Sequence, residues 1–180
     1  LPSFRFRRVF PIDAQQLRSL QQPLKAKYRD EPSSALVTMT ATGTINVETL
    51  CCEIPSGGNP IVAGLHPAAG GSGDQACSGD MLLQSLVACS GVTFAAVATA
   101  MEIPIEAATV TATGTMDFRG TLGIERQAPV GLTEIQLHFA ITSTAEGEIL
   151  AKLISLTERY CVVLQTLAGT CELRSGWARP

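Results

Sequence analysis

The sequence is short of charged residues. Asp, Glu, Lys and Arg make up 16% of its 180 residues, against about 25% in an average soluble domain. The net charge is −3 and the isoelectric point is about 5.4, so no basic surface is expected for nucleic acid or acidic lipid. A chain this rich in Ala, Val, Leu and Thr has little polar material for its exterior. This predicts a large buried subunit interface, as in a homodimer.

The sequence also lacks the features of an exported protein. Its first 13 residues, LPSFRFRRVFPID, contain no long apolar core followed by a small-residue cleavage site, so no signal peptide is expected. The chain is long enough to form one domain with its own apolar core, and it does not need a disulfide framework. We therefore expect the reducing cytoplasm as its compartment.

An uncharged run, MLLQSLVACSGVTFAAVATAM, covers residues 81–101 and has Cys89 near its middle. Its length would nominally span a bilayer, but Gln, Ser and Thr side chains dilute it and its Ala residues add little insertion energy. Its apolar residues occupy every side of a helix. This predicts a helix from Ser78 to about Met101 that is enclosed on all faces in the core of a soluble protein.

The remaining pattern predicts an α+β protein. Asp13 caps a first helix, and the runs SALVTMTATG and TINVETLCCEI form a hairpin. Strict alternation predicts strands over residues 109–118 and 133–142. A capping box formed by Ser143 and Glu146 opens a second long helix, which Gly169 ends. This order suggests an antiparallel sheet packed against two long helices, each with a cysteine in its middle.

Taken singly, a free cysteine is most often a small buried apolar residue. Cys51 and Cys52 are neighbours on a strand, so they point to opposite faces and do not chelate one ion together. A zinc site built from one of them with His66 and Cys77 lacks any paired C-x-x-C spacing. For the remaining candidates, solvent exposure is expected for His138 and a structural role for Cys171, while His66 suits a loop hydrogen bond.

Cys89 and Cys161 stand in recognisable surroundings. SGDMLLQSLVACSGVTFAAVA and LTERYCVVLQTL together resemble the two cysteine motifs of the OsmC/Ohr family of thiol-dependent hydroperoxide reductases. The resemblance covers roughly residues 28–173 in motif and in element order. It implies an OsmC-like domain over residues 28–180, preceded by an N-terminal helical extension over residues 1–27. It also implies an intertwined homodimer in which the sheets wrap around two central helices.

The resemblance assigns roles to both cysteines. Cys89 would be the peroxidatic thiol that attacks an organic hydroperoxide, and Cys161 the resolving thiol that closes a disulfide on the resulting sulfenic acid. An external dithiol, such as a lipoyl group, would reduce the disulfide. No metal, flavin or other bound cofactor is implied. Apolar helices around the thiols would favour organic hydroperoxides over hydrogen peroxide.

The chain departs from the family pattern where the thiol is activated. Gly79 stands where the family has a Glu, with Asp80 after it, and the first strand connection carries no arginine. Arg29, Arg119 and Arg159 are candidates to supply positive charge, and solvated surface is the simpler interpretation of each. Two alternatives to a peroxidase therefore stay open: an OsmC-like dimer that binds an apolar small molecule, and a zinc-dependent protein that uses His66 and the extra cysteines.

Overall fold

The computed structural model describes residues 11–169 and 171–179. Over these residues, the helices are α1 (Ala14–Asp30), α2 (Ser78–Ala100), α3 (Phe118–Thr121), α4 (Gly147–Tyr160) and α5 (Val162–Ala168). The strands are β1 (Thr44–Asn46), β2 (Cys51–Ile54), β3 (Ile61–Gly64), β4 (Ala76–Cys77), β5 (Ala107–Met116) and β6 (Leu132–Thr142). Single 3₁₀ turns cover Pro32–Ala35 and Pro67–Ala69.

The strands form two separate sheets. The first has the order β1-β2-β3-β4, with antiparallel pairs except for the parallel pair of β3 and β4. The second is the long antiparallel hairpin of β5 and β6, which pairs from Ala107 with Thr142 to Met116 with Leu132. The predicted mixture of sheet and long helices is confirmed. The sheet is divided in two, and β4 adds a parallel pair that the sequence did not indicate.

Helix α1 begins where the sequence predicts. The Asp13 carboxylate accepts a hydrogen bond from the Gln16 amide at 2.8 Å, and the Gln16 side chain accepts one from the Asp13 amide at 3.0 Å. This reciprocal box satisfies two amide groups that a helix start leaves unpaired.

The division of the chain into an N-terminal extension over residues 1–27 and a main domain over residues 28–180 stays a prediction.

The predicted N-terminal hairpin is wrong in its first strand. Residues 36–43 form no strand, and the second run folds back on itself as β1 and β2 instead. The Asn46 side chain accepts hydrogen bonds from the amides of Glu48 and Thr49, at 3.0 Å each, and so holds the intervening turn. An Asn side chain stabilises a turn through short-range hydrogen bonds of this kind. Here the turn at Asn46 outweighs the preference of the β-branched run for a single continuous strand.

The second long helix is interrupted. It begins at Gly147 rather than at the predicted capping box, and it breaks at Cys161, whose φ of −72° and ψ of 107° are extended. Two helices, α4 and α5, therefore replace the single predicted helix. Leu153, Thr157 and Cys161, which lie four positions apart up to the break, are all fully buried, whereas Ala168 beyond the break is exposed.

The core of a single chain is small. Phe94 and Ala98 on α2 pack with Leu153 on α4, and Phe94 stacks on Phe139 of β6 with ring centroids 5.5 Å apart. The buried residues of α2 recur every four positions, which marks one face of the helix. Val92 on another face is 73% exposed. Within one chain, α2 is thus buried on one side and not on all sides as predicted.

Helix α2 is also long and apolar enough to cross a membrane, judged by length and composition alone. A core helix of a soluble protein passes the same test, and α2 contributes four of the eight buried residues in the part of the chain that the structure describes.

Candidate functional site

Helix α2 presents Cys89 on the side that faces the break between α4 and α5. Cys89 is half-buried, and its neighbour Ser90 is fully buried. The Ser90 hydroxyl donates to the Leu86 carbonyl at 2.7 Å, and the Thr93 hydroxyl donates to the Cys89 carbonyl at 2.8 Å. Each hydroxyl therefore finds a partner one helical turn back, as buried Ser and Thr side chains do in helices.

Cys161 occupies the break itself. Its amide still donates to the Thr157 carbonyl at 2.9 Å, so it ends α4, and its carbonyl accepts the Gln165 amide at 2.9 Å, so it begins α5. Its side chain is fully buried. Beyond this residue the backbone amides no longer follow the hydrogen-bond ladder of α4, and they become available to other acceptors.

The structure brings the Cys89 and Cys161 side chains together across 72 positions of sequence. Both thiols are reduced, and they share a hydrogen bond in which Cys161 is the donor and the Cys89 sulfur is the acceptor.

The Cys89 thiol has a lowered pKa. Burial acts to raise this pKa, but hydrogen bonds to the sulfur outweigh it. The donors are the backbone amides of Val163 and Val162 and the side chain of Cys161; the Thr93 hydroxyl, whose 2.8 Å bond goes to the Cys89 carbonyl, contributes least. A thiol of lowered pKa carries more of the reactive thiolate at neutral pH, so Cys89 has the character of a nucleophile.

The Cys161 thiol has a raised pKa. Burial is the main cause, and the hydrogen bond to Cys89 together with the charge of the Cys89 thiolate raises it further. The amides of Leu164 and Val163 act in the opposite direction and do not prevail. As the pH rises, Cys89 therefore loses its proton before Cys161 does, which gives the pair two distinct chemical roles.

A family model described as "OsmC-like protein" matches residues 71–175, which include both cysteines and more than half of the chain. The chain belongs to the OsmC-like family. No curated protein matches it.

Solved structures support the same fold. An OsmC-like protein from Mycoplasma pneumoniae is 24% identical, with a TM-score of 0.61 over 74% of this chain and 89% of that one. An organic hydroperoxide resistance protein from Elizabethkingia anophelis is 21% identical, with a TM-score of 0.59 over 74% and 91%. An organic hydroperoxide resistance protein OsmC from Legionella pneumophila is 19% identical, with a TM-score of 0.58 over 75% and 92%. The predicted OsmC-like fold is confirmed.

No arginine is among the groups that hydrogen-bond to Cys89 within residues 11–169 and 171–179. Arg119 instead forms an ion pair with Asp117, with 3.0 Å between Nε and Oδ1, and this pair lowers the pKa of Asp117. Arg159 lies 5.5 Å over the ring of Tyr160, and Arg29 lies in the last turn of α1. Within one OsmC-like chain, amides and hydroxyls rather than a cation favour the Cys89 thiolate.

Gly79 and Asp80 lie at the start of α2, in the wall of a cavity of about 320 Å³ that also includes His66 and Cys77. His66 Nδ1 accepts a hydrogen bond from the Ala68 amide at 3.0 Å, and the His66 ring stacks on the Phe118 ring with 4.8 Å between the ring centroids. This is the predicted loop hydrogen bond. Across the described parts of the chain, no three His, Cys, Asp or Glu side chains are grouped so as to hold a metal ion.

The other cysteines stand apart from the pair. Cys51 and Cys52 are half-buried on β2, and Cys171 is exposed in the segment after α5. His138 is exposed on β6, as the alternation predicts.

Sequence reasoning missed part of this site. Thr93 could have been found, because it lies four positions after Cys89 and so on the same helical face. The amides of Val162 and Val163 could not, because no Pro or Gly lies in residues 148–168 to signal the break that frees them.

Proposed function

We propose that this protein is a thiol-dependent peroxidase that reduces organic hydroperoxides to alcohols. The observation that carries the proposal is the contact between Cys89, with its lowered pKa, and Cys161, with its raised pKa. Family membership supports it, because two structural neighbours are organic hydroperoxide resistance proteins. At their low identity, these neighbours support the fold directly and the activity only by analogy.

The reaction follows from the two protonation states. The Cys89 thiolate attacks the outer oxygen of R–O–O–H, the O–O bond breaks, and the released alkoxide takes up a proton to leave as R–O–H. Cys89 becomes a sulfenic acid, and the Cys161 sulfur attacks it to form a disulfide with loss of water. An external dithiol such as a lipoyl group then returns two electrons by thiol–disulfide exchange, so no bound metal or flavin takes part.

The proposed assembly is a homodimer. The chain exposes 14551 Å² of surface, whereas a compact monomer of 19.0 kDa is expected to expose roughly 8,400 Å². All residues from 36 to 50 are exposed, although they include several apolar side chains. A second copy that packs on these surfaces would account for the excess area. A reducing compartment such as the cytoplasm suits a cycle that consumes dithiol electrons.

The test is the reaction of the reduced protein with one equivalent of cumene hydroperoxide. Mass spectrometry is expected to show a Cys89–Cys161 disulfide, and turnover is expected with dihydrolipoamide as reductant. The Cys89→Ser variant serves as the control and is expected to lose both. Wild-type turnover in that variant would remove Cys89 from the mechanism.

A second candidate function is the binding of an apolar small molecule. An apolar cavity of about 430 Å³ lies between α2 and β5, lined by side chains that include Phe94, Ile103 and Phe139, and Cys89 is not part of its wall. Such a cavity suits a lipid-like ligand. Saturable binding of a fatty acid by a protein whose Cys89 and Cys161 stay reduced under peroxide would favour this function over catalysis.

A further inference from the structure

The break between α4 and α5 has an unusual chemical consequence. In an unbroken helix, the amides of Val162 and Val163 would donate to the carbonyls of Glu158 and Arg159, four residues back. The extended backbone of Cys161 removes both bonds. The two amides donate to the Cys89 sulfur instead. The site therefore depends on a helix that stays open at this point.

The open helix leaves carbonyl groups without their usual partners. Arg159 and Tyr160 are exposed residues, and water can satisfy their carbonyls. The Glu158 carbonyl has a protein partner, because the side-chain nitrogen of Gln165 donates to it at 2.9 Å. This bond spans seven positions and joins the end of α4 to α5.

Gln165 is bound on both sides of the break. Its backbone amide donates to the Cys161 carbonyl at 2.9 Å, while its side chain holds the Glu158 carbonyl. A carbonyl oxygen can accept two hydrogen bonds, so the Gln165 side chain does not block the Val162 amide by occupancy alone. In a continuous helix, however, residues seven positions apart would be about 10.5 Å apart along the helix axis, too far for the Gln165 side chain to reach the Glu158 carbonyl. The bond therefore favours the open helix.

We propose that Gln165 is a positioning residue: its side-chain amide keeps the α4–α5 break open, and so keeps the Val162 and Val163 amides directed at the Cys89 sulfur. The inference rests on the nucleophilic role proposed above for Cys89. It explains how a chain segment without Pro or Gly maintains a break in the middle of its helical pattern. Gln165 itself acts only through the backbone.

The test measures the reactivity of Cys89 without any peroxide. The rate of Cys89 alkylation by iodoacetamide is followed against pH, by mass spectrometry of the Cys89 peptide, in the full chain. Gln165→Met keeps the length of the side chain and removes the donor. Gln165→Asn keeps the amide but is one methylene too short to reach Glu158. Both variants are expected to react about three- to tenfold more slowly at neutral pH, the effect of about one hydrogen bond.

The pH profile separates positioning from general damage. In the variants, the profile is expected to move to higher pH while the rate at its alkaline plateau, where Cys89 is fully ionised, stays the same. Thr166→Val is the matched control, because it removes a bond of 2.8 Å to the Val162 carbonyl within α5 that does not cross the break. Its profile is expected to match the wild type. Circular dichroism checks folding, and if Gln165→Met does not fold, Gln165→Asn carries the test.

The outcomes are distinct from those of the proposed function. An unchanged pH profile in folded Gln165→Met or Gln165→Asn would overturn the inference, even if the wild type reduces peroxides. A plateau that falls without any shift along the pH axis would also overturn it, because that result indicates loss of access rather than loss of the amides. A wild type that forms no disulfide with peroxide would instead count against the proposed function alone.

Discussion

Cys161 donates a hydrogen bond to the sulfur of Cys89, although 72 positions of sequence separate them. The donor is buried and holds its proton more firmly than an ordinary cysteine, while the acceptor holds its proton less firmly. The direction of this hydrogen bond therefore favours Cys89 as the thiolate and Cys161 as the protonated thiol. As the pH rises, the Cys89 thiol on α2 ionises first, and the Cys161 thiol at the helix break, which is proposed to attack the oxidised Cys89 sulfur, ionises later.

The first prediction concerns pH. Because the Cys89 pKa is lowered and the Cys161 pKa is raised, a fall in pH converts Cys161 to the thiol well before it protonates Cys89. Between the two pKa values, iodoacetamide should therefore label Cys89 in preference to Cys161. Peptide mass spectrometry across a pH series measures both rates, and faster labelling of Cys161 in that window would contradict the assignment.

The second prediction concerns Cys161→Ser. The variant should still react once with an organic hydroperoxide, because the Cys89 thiolate keeps its amide donors. Its sulfenic acid then has no partner thiol at the site, so it should persist and be trapped by dimedone. Steady-state turnover with a dithiol should fall strongly, and over-oxidation of Cys89 should increase.

The control for Cys161→Ser is Cys171→Ser, which changes an exposed cysteine outside the site. It should retain wild-type turnover. Full activity of Cys161→Ser would show that another thiol resolves the intermediate.

Much of the fold followed from the sequence because its strongest patterns are local. The alternation of β6 predicts Ile135, Leu137, Phe139 and Ile141 on one face, and these four are the half-buried side chains from Ile135 to the end of the strand. The Asp13 cap is equally local, since it needs only residues three positions apart. Periodicity and capping are decided within a few residues, so they can be read without tertiary structure.

Only part of the candidate site could be predicted from the sequence. Motif resemblance named Cys89 and Cys161, but no Pro or Gly in residues 148–168 signals the break between α4 and α5. The bond that is proposed to hold the break open joins Gln165 to Glu158, seven positions apart, and it leaves no periodic pattern in the sequence. The exposure of one face of α2 within a single chain was also not predicted. The uncharged pattern around Val92 indicates that this face is buried, but it does not show whether residues of the same chain or of a second chain pack against it.

The third prediction concerns Thr93→Val. The Thr93 hydroxyl, bonded to the Cys89 carbonyl at 2.8 Å, is the weakest of the groups that lower the Cys89 pKa, and Val keeps its shape without the hydroxyl. Alkylation of Cys89 at neutral pH should slow by about two- to tenfold, consistent with one lost hydrogen bond. Thr99→Val makes the same change on the same helix, in the wall of the apolar cavity, and should leave the rate unaltered. Equal effects of the two variants would point to a general change in α2.

The fourth prediction concerns the core. Leu153 is fully buried against Phe94 and Ala98, so Leu153→Ala should lower the free energy of unfolding by about 2–5 kcal/mol. Leu173, which is 91% exposed, gives the matched control, and Leu173→Ala should change it by less than about 0.5 kcal/mol. Urea titrations at one protein concentration measure both, because the stability of a dimer depends on concentration. A loss below about 1 kcal/mol at Leu153 would mean that the site collapses around the missing atoms.

The fifth prediction concerns assembly. Val92 is 73% exposed on α2, next to the buried helix face, and a second copy is the proposed cover for it. Val92→Asp would place a charge in that apolar contact without a partner, which is costly. Light scattering coupled to size exclusion should show a dimer for the wild type and a shift toward monomer for the variant. Val130 is 76% exposed in the connection between α3 and β6, outside the long helices, so Val130→Asp should remain dimeric. A wild type that elutes as a monomer at micromolar concentration would contradict the proposed homodimer.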